Sequence, residues 1–260
     1  MDSERQRTEQ RQWDERAAEY AQSASDGLAV DDACPDLTTH LRGAIALLGD
    51  VSGKRLLDCG CGTGVTSVLL AKAGAQVWAF DVSGEMVELT NRRAQANGVA
   101  DRVQAAKMPF EALGFHDAFF DLAFGNMVLH HVDADAAAGE LSRVLKPGGR
   151  AVFAETSGLD PILMLARRCL AGRFGIAKNS SLGEKPLGPQ ELTALGRHFT
   201  SLKTHFIEFV FLTMVANNAL KWKRSTRLLQ RLLVGTDRII YRCCPFLRKY
   251  SYLMVVELTR

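Results

Sequence analysis

Asp58 follows the apolar pair Leu56-Leu57, and three glycines come after it at alternate positions, Gly60, Gly62 and Gly64, separated by Cys61 and Thr63. This reads as a buried strand ending in a turn whose backbone must approach something closely. Glycine has no Cβ and tolerates φ > 0, so such a loop can bring its N–H groups against a ligand. Val65, Val68, Leu69, Leu70 and Ala71 continue as a helix, whose N-terminus favours negative charge. A second acid, Asp81, ends the next apolar run, Ala79-Phe80. An acid about 20 residues after a glycine loop is placed to accept hydrogen bonds from both hydroxyls of a ribose. Ser83 offers a cap for the helix that follows, which leaves Asp81 to a ligand. The adjacent His131 and His130 are the third chemical feature, His131 being the first choice. Either imidazole can take a proton from a hydroxyl or ammonium near neutral pH. In the alternative reading one packs in a helix and the other only shapes a pocket. Glu155, at a strand end, reads as a further base or substrate anchor, or equally as a solvated acid.

These residues need elements to position them. From Lys54 onward strands and helices alternate, the pattern of a parallel sheet with crossover helices. Strands are predicted at Arg55–Cys59, Gln76–Asp81, Val103–Ala106, Phe119–Gly125 and Gly149–Glu155, with helices at Gly64–Ala73, Ser83–Asn97 and Asp135–Leu145. Pro147-Gly148-Gly149 turns the chain into the fifth strand. Two more strands are expected at Lys203–Leu212 and Tyr252–Thr259, both rich in β-branched and aromatic residues. Residues 1–50 read as a helical cap, in which Trp13, Ala17 and Tyr20 fall near one helical face. A polar loop from Ser23 to Pro35 and a second helix from Leu37 to Leu48 complete it.

At the glycine loop the chain resembles the class I S-adenosylmethionine-dependent methyltransferases, with motifs like those of ubiquinone/menaquinone biosynthesis. The loop has the family's D-x-G-x-G-x-G form; its third glycine falls one residue early for the dinucleotide G-x-G-x-x-G. Leu141-Ser142-Arg143-Val144-Leu145-Lys146-Pro147-Gly148-Gly149 is similar to the family's L-x-R-V-L-K-P-G-G, and the likeness covers residues 50–156. It implies a Rossmann-like α/β fold, a seven-stranded mostly parallel sheet whose last strand is antiparallel. It implies S-adenosyl-L-methionine as cofactor and S-adenosyl-L-homocysteine as product. Asp58, Gly60, Cys61, Gly62 and Gly64 would hold its methionine end and Asp81 its ribose. Asp81-Val82-Ser83-Gly84-Glu85-Met86 resembles D-x-S-x-x-M, so Val82 and Met86 would pack near the adenine. Ala105-Ala106-Lys107-Met108-Pro109-Phe110 is similar to D-A-E-x-L-P-F but lacks its acids, which leaves the backbone of Ala106 and Lys107 to read the adenine edge. Asn126 and Met127, ahead of the L-H-H of Leu129-His130-His131, would lie beside the methionine part. The W-D-x-x-A-x-x-Y stretch at Trp13 resembles the family's segment that folds over the cofactor, which would bring Tyr20 to it; an amphipathic packing helix is the other reading.

Length and charge bound the function. At 260 residues the chain suits a helical cap (1–50) and one domain (51–260) with helical insertions near 160–188 and 214–250, where the family builds a variable lid. No apolar run reaches the ~20 residues of a membrane span, the charged start lacks the apolar core of a signal peptide, and no cysteine spacing suggests a zinc site. A cytoplasmic location with free thiols and no metal is the expectation. Net charge is only +3, yet nine basic residues stand against the single acid Asp237 between Met214 and Tyr250. Leu220, Leu228, Leu229, Leu232, Leu233, Ile239 and Ile240 alternate with them. Such an amphipathic segment reads as a lid for a lipophilic acceptor, a membrane-surface helix, or a packed helix with a solvated charged face. Nucleic acid is not expected, because stacking aromatics are not interleaved with the basic residues. The expected activity is methyl transfer to an O, N or C nucleophile of a small, partly apolar molecule. The alternatives are a membrane-associated lipid or quinone methyltransferase, a peptide methyltransferase, and a non-catalytic S-adenosylmethionine-binding protein.

Overall fold

Leu56 and Leu57 are adjacent, and both are wholly buried, on opposite faces of one strand. That is possible only where a strand is covered from both sides, and such strands read as continuous apolar runs rather than alternations. In the computed structural model, which describes residues 3–23, 28–31, 38–170, 185–213 and 227–260, this strand, β1 (Arg55–Cys59), is central to a seven-stranded sheet. The others are β2 (Gln76–Asp81), β3 (Val103–Lys107), β4 (Phe120–Asn126), β5 (Leu145–Thr156), β6 (Ser201–His205) and β7 (Leu253–Thr259). The order is β3-β2-β1-β4-β5-β7-β6. Strands β1 to β5 pair in parallel, and β7 runs antiparallel to both β5 and β6.

Helices cover both faces. Leu56, Val77, Phe124, Val152 and Val255 pack with α2 (Thr39–Leu47) and α3 (Val65–Lys72). Leu57, Phe80, Phe120, Phe153 and Val256 pack with α5 (Ala134–Val144) and Leu195 of α7 (Pro189–Gly196). Each large side chain buried this way stabilises the fold by about 1.5–3 kcal/mol. The long α1 (Ser3–Ser23) lies against α4 (Gly84–Ala96). Ser83 joins the two: its Oγ accepts from Met86 N–H, capping α4, and donates to Asp14 Oδ1 of α1 at 2.5 Å. Among the described residues the remaining α-helices are α6 (Pro161–Leu170) and α8 (Arg227–Cys243).

The L-S-R-V-L-K-P-G-G segment serves this scaffold. Arg143 donates to Glu140 and Asp117 and to the carbonyls of Leu113 and Phe115, tying down the loop before β4. Lys146 pairs with Asp121, whose other oxygen accepts from Arg55 N–H of β1. The register between β4 and β5 shifts where Pro147-Gly148-Gly149 turns. Two predicted strands differ: β5 begins at Leu145 rather than Gly149, and β6 spans Ser201–His205 instead of Lys203–Leu212. Beyond it the backbone bonds elsewhere, Val210 N–H to Ser251 Oγ and Leu212 and Thr213 N–H to Asp237 of α8. Residues 171–184 and 214–226, within the two expected insertions, lie outside the described residues.

Candidate active site

The carboxyl ends of β1, β2 and β4 open into one cavity of about 450 Å³, the position where open α/β sheets bind ligands. β1 brings Asp58 there, only 2% exposed, and Ser67 Oγ of α3 donates to its Oδ2 at 2.5 Å. Burial pushes the Asp58 carboxyl up to about 7; the Ser67 bond opposes this and the nearby Asp81 charge adds to it. Gly60, Cys61 and Gly62 line the cavity with Asp58. Gly62 has φ +50, and nothing lies within 4 Å of where a Cβ would stand, so its backbone faces open space. Gly64 has a different task. It begins α3 at φ +80, and a Cβ there would come 2.7 Å from the Thr90 backbone, so it sets the contact of α3 with α4 rather than the cavity wall. The Cys61 thiol is buried, and its pKa is raised well above the ordinary range by burial and then by the two acids, which keeps it neutral.

Asp81 ends β2 with its carboxylate turned back to the loop. Oδ2 accepts from Gly62 N–H at 2.9 Å and Oδ1 from Ser83 N–H at 3.0 Å. Burial raises its pKa against these bonds. Val82 and Met86 line the same end of the cavity. Ala106 and Lys107 do not. They sit exposed in the edge strand β3, paired with Phe80 and Asp81. Met108 N–H then bonds the Asp81 carbonyl, and the wall is made by Met108, Pro109 and Phe110 instead. β3 is the edge strand of the sheet, and its last two residues face outward there.

The exit of β4 forms the opposite wall. Asn126 and Met127 both line it, and Met127 holds φ +57, costly for a side chain with a Cβ. Glu155 is what keeps the following turn in place. Fully buried, it accepts from Val128 N–H at 2.8 Å and Leu129 N–H at 2.7 Å through Oε1, while Oε2 lies 2.6 Å from His130 Nδ1. Neither Glu155 nor His130 reaches the cavity. Two of the three candidate bases thus lie outside the cavity wall, His130 packed as the alternative reading had one histidine do, its Nδ1 giving the buried Glu155 Oε2 a polar partner. His131 does reach it. Its Nδ1 lies 3.3 Å from Glu9 Oε2, and its ring meets the edge of Trp13 at 5.4 Å.

Glu9 and Trp13 are the parts of α1 that line the cavity. Tyr20 lies farther along α1, and its side chain is outside the described residues. Glu9 has no counterpart in the sequence reading. It sits in a charged stretch whose pattern marks no inward face, and only its 7% exposure singles it out. The open glycine backbone, the acid at the end of β2 and the apolar Val82, Met86, Met108 and Phe110 fit the methionine, ribose and adenine parts of S-adenosylmethionine.

Residues 57–153 match a family model described as a methyltransferase domain. Over 121 residues the chain is 40% identical to a demethylmenaquinone methyltransferase of Clavibacter sepedonicus, covering 45% of this chain and 46% of that one. Over 140 residues it is 34% identical to a 27-O-demethylrifamycin SV methyltransferase of Amycolatopsis mediterranei, 53% of this chain and 47% of that one. The chain therefore spans about half the length of the curated relatives it matches. Among solved structures, an S-adenosylmethionine dependent methyltransferase from Mesorhizobium loti shares its fold, with a TM-score of 0.60 at 21% identity over 86% of this chain and 99% of that one. Residues 57–153 thus match a methyltransferase domain in sequence, and 86% of the chain shares the fold of an S-adenosylmethionine dependent methyltransferase.

Proposed function

We propose that the protein transfers the methyl group of S-adenosylmethionine to an O, N or C nucleophile of a small, partly apolar molecule. The observation that carries this reading is the convergence in one cavity of Asp58, the open glycine backbone, Asp81 and His131. Two relatives, named as a demethylmenaquinone methyltransferase and a 27-O-demethylrifamycin SV methyltransferase, support a small-molecule acceptor. The cofactor supplies a methyl group on a sulfonium, already activated for displacement. The chain's own task is then to hold the nucleophile in line and exclude water. Asp81 would hold the ribose, its bonds from Gly62 and Ser83 keeping the carboxylate aimed. The Asp58 carboxyl, poised near neutrality by burial, would favour its charged form once a cationic methionine end lies beside it. Trp13 and Glu9 of α1 line the cavity beside His131. His131 is the residue positioned to take the acceptor's proton, with Glu9 beside its Nδ1 to orient the ring.

Calorimetric titration of S-adenosylhomocysteine into the wild type and Asp81→Ala tests the cofactor assignment. Removing a charged acceptor from two hydroxyl contacts should cost about 1.5–3 kcal/mol, a weakening of roughly 10- to 150-fold. A folded wild type that takes up no S-adenosylhomocysteine, alone or with candidate acceptors present, would refute the reading.

A further inference from the structure

Helix α8 has three distinct sides. Asp237 faces the body of the protein, 2% exposed, and accepts from Leu212 N–H, Thr213 N–H and Thr213 Oγ1. Leu228, Leu232 and Ile239 follow one another at spacings of four and seven, which places them along one stripe roughly opposite Asp237. They are 71%, 60% and 62% exposed. Phe246, in the turn after the helix, is 71% exposed as well. Arg231, Arg238 and Arg242 repeat at seven and four along one flank of this stripe, Arg231, Arg238 and Arg242 all being exposed. No described residue of α8 lines the cavity described above. The stripe is therefore exposed and outside the cavity wall, although the sequence also allowed an inward apolar lid.

A helix of this length that exposes its leucines and isoleucine to water is unfavourable unless something covers them. We propose that α8 docks the protein on an anionic lipid bilayer, the apolar stripe entering the interface and the arginine row meeting the headgroups. Charge selects this occupant. From Arg227 to Tyr250 there are six basic residues, and the single acid, Asp237, is buried against the body. A second copy of the chain laid along α8 would bring two arginine-bearing helices together, with only the half-buried Glu208 beside Arg238, among the described residues, to offset them. An anionic surface supplies the missing negative charge, and a basic amphipathic helix lying in the plane of the interface is the usual solution.

The test is co-sedimentation of the 260-residue chain with vesicles of phosphatidylcholine alone, and of phosphatidylcholine with about one-third phosphatidylglycerol. Binding is expected only to the second, and it should weaken with added salt. Each Arg→Gln change at 231, 238 and 242 should weaken it about five-fold. Leu228→Ser/Leu232→Ser/Ile239→Ser should weaken it at least about ten-fold. These side chains are exposed, so circular dichroism should show an unchanged fold; the arginine variants carry the test by themselves if the serine variant does not fold. Absence of wild-type binding to the phosphatidylglycerol vesicles would overturn the proposal, as would full binding by the serine variant. A dimer seen in analytical ultracentrifugation, lost in the serine variant and accompanied by no vesicle binding, would also overturn it and assign the stripe to a second copy. Because none of these readouts uses S-adenosylmethionine, their failure is separate from failure of the methyl-transfer reading.

Discussion

Glu155 distinguishes a catalytic from a supporting carboxylate, and two substitutions separate the roles. Its Oε1 takes two backbone N–H groups, and its Oε2 faces His130 Nδ1 at 2.6 Å, all out of contact with the cavity. Glu155→Gln keeps one acceptor oxygen for Val128 and Leu129 but makes both bonds neutral. Charge-assisted bonds contribute about 1.5–3 kcal/mol and neutral ones about 0.5–1.5, so the pair loses roughly 2–3 kcal/mol. No longer burying a charge offsets part of this, leaving a net loss of about 1–2 kcal/mol. Glu155→Ala leaves two backbone donors and an imidazole without their acceptor, at about 1–3 kcal/mol each, or roughly 3–6 kcal/mol once some water enters. In a domain of this size 1 kcal/mol moves the melting temperature by about 2–4 °C. Thermal melts should therefore show a fall of a few degrees for Gln and about 10 °C or more for Ala. Methyl transfer by the Gln variant should stay within about ten-fold of wild type, because a supporting residue leaves the proton transfer itself intact. A Gln variant that melts like the wild type yet loses 10²-fold or more in kcat would refute this reasoning and make Glu155 a base.

Asp58 predicts a pH dependence of stability. Its folded carboxyl is lifted to about 7 while the unfolded chain titrates near 3.8, so the folded state holds the extra proton and wild-type stability falls as pH rises between those values. The fall is on the order of 4 kcal/mol. Asp58→Asn removes it, so the variant's melting temperature should gain on the wild type from about pH 4 to about pH 7 and then run level with it; a constant difference would refute the buried-acid reading. His131→Asn should lower kcat by about 10²–10⁴-fold with little change in S-adenosylhomocysteine affinity, whereas an unchanged kcat would leave His131 only a shaping role. Glu9→Gln should lower kcat about ten-fold at unchanged melting temperature and cofactor affinity, the split expected of a residue that orients a base; an equal loss of affinity would place Glu9 in the cap alone.

Much of this protein is determined locally, and that part is legible in the chain. The bounds of β1 and β2 follow from apolar runs closed by Asp58 and Asp81, and Ser83 and Asp133 cap α4 and α5 as their residue types require. The turn at Gly60 to Gly64 and its place before a helix depend on backbone freedom that neighbouring residues specify. The mostly parallel sheet follows from strands that are apolar on both faces. What only tertiary structure decided is the direction in which side chains are turned. Glu155 and His131 are both candidate bases as letters, but the first is enclosed by the backbone of Val128 and Leu129 and the second opens to the cavity. Glu9 carries no local signal, and becomes part of the cavity wall only because Asp14 and Ser83 hold α1 against α4. Periodicity shows that α8 is amphipathic, whereas the bonds of Asp237 to Leu212 and Thr213 decide that its apolar stripe faces outward. Helical period and turn chemistry act over a few residues. Facing and burial are set by partners some 25 to 70 residues away, and a single chain read in order does not record those partners.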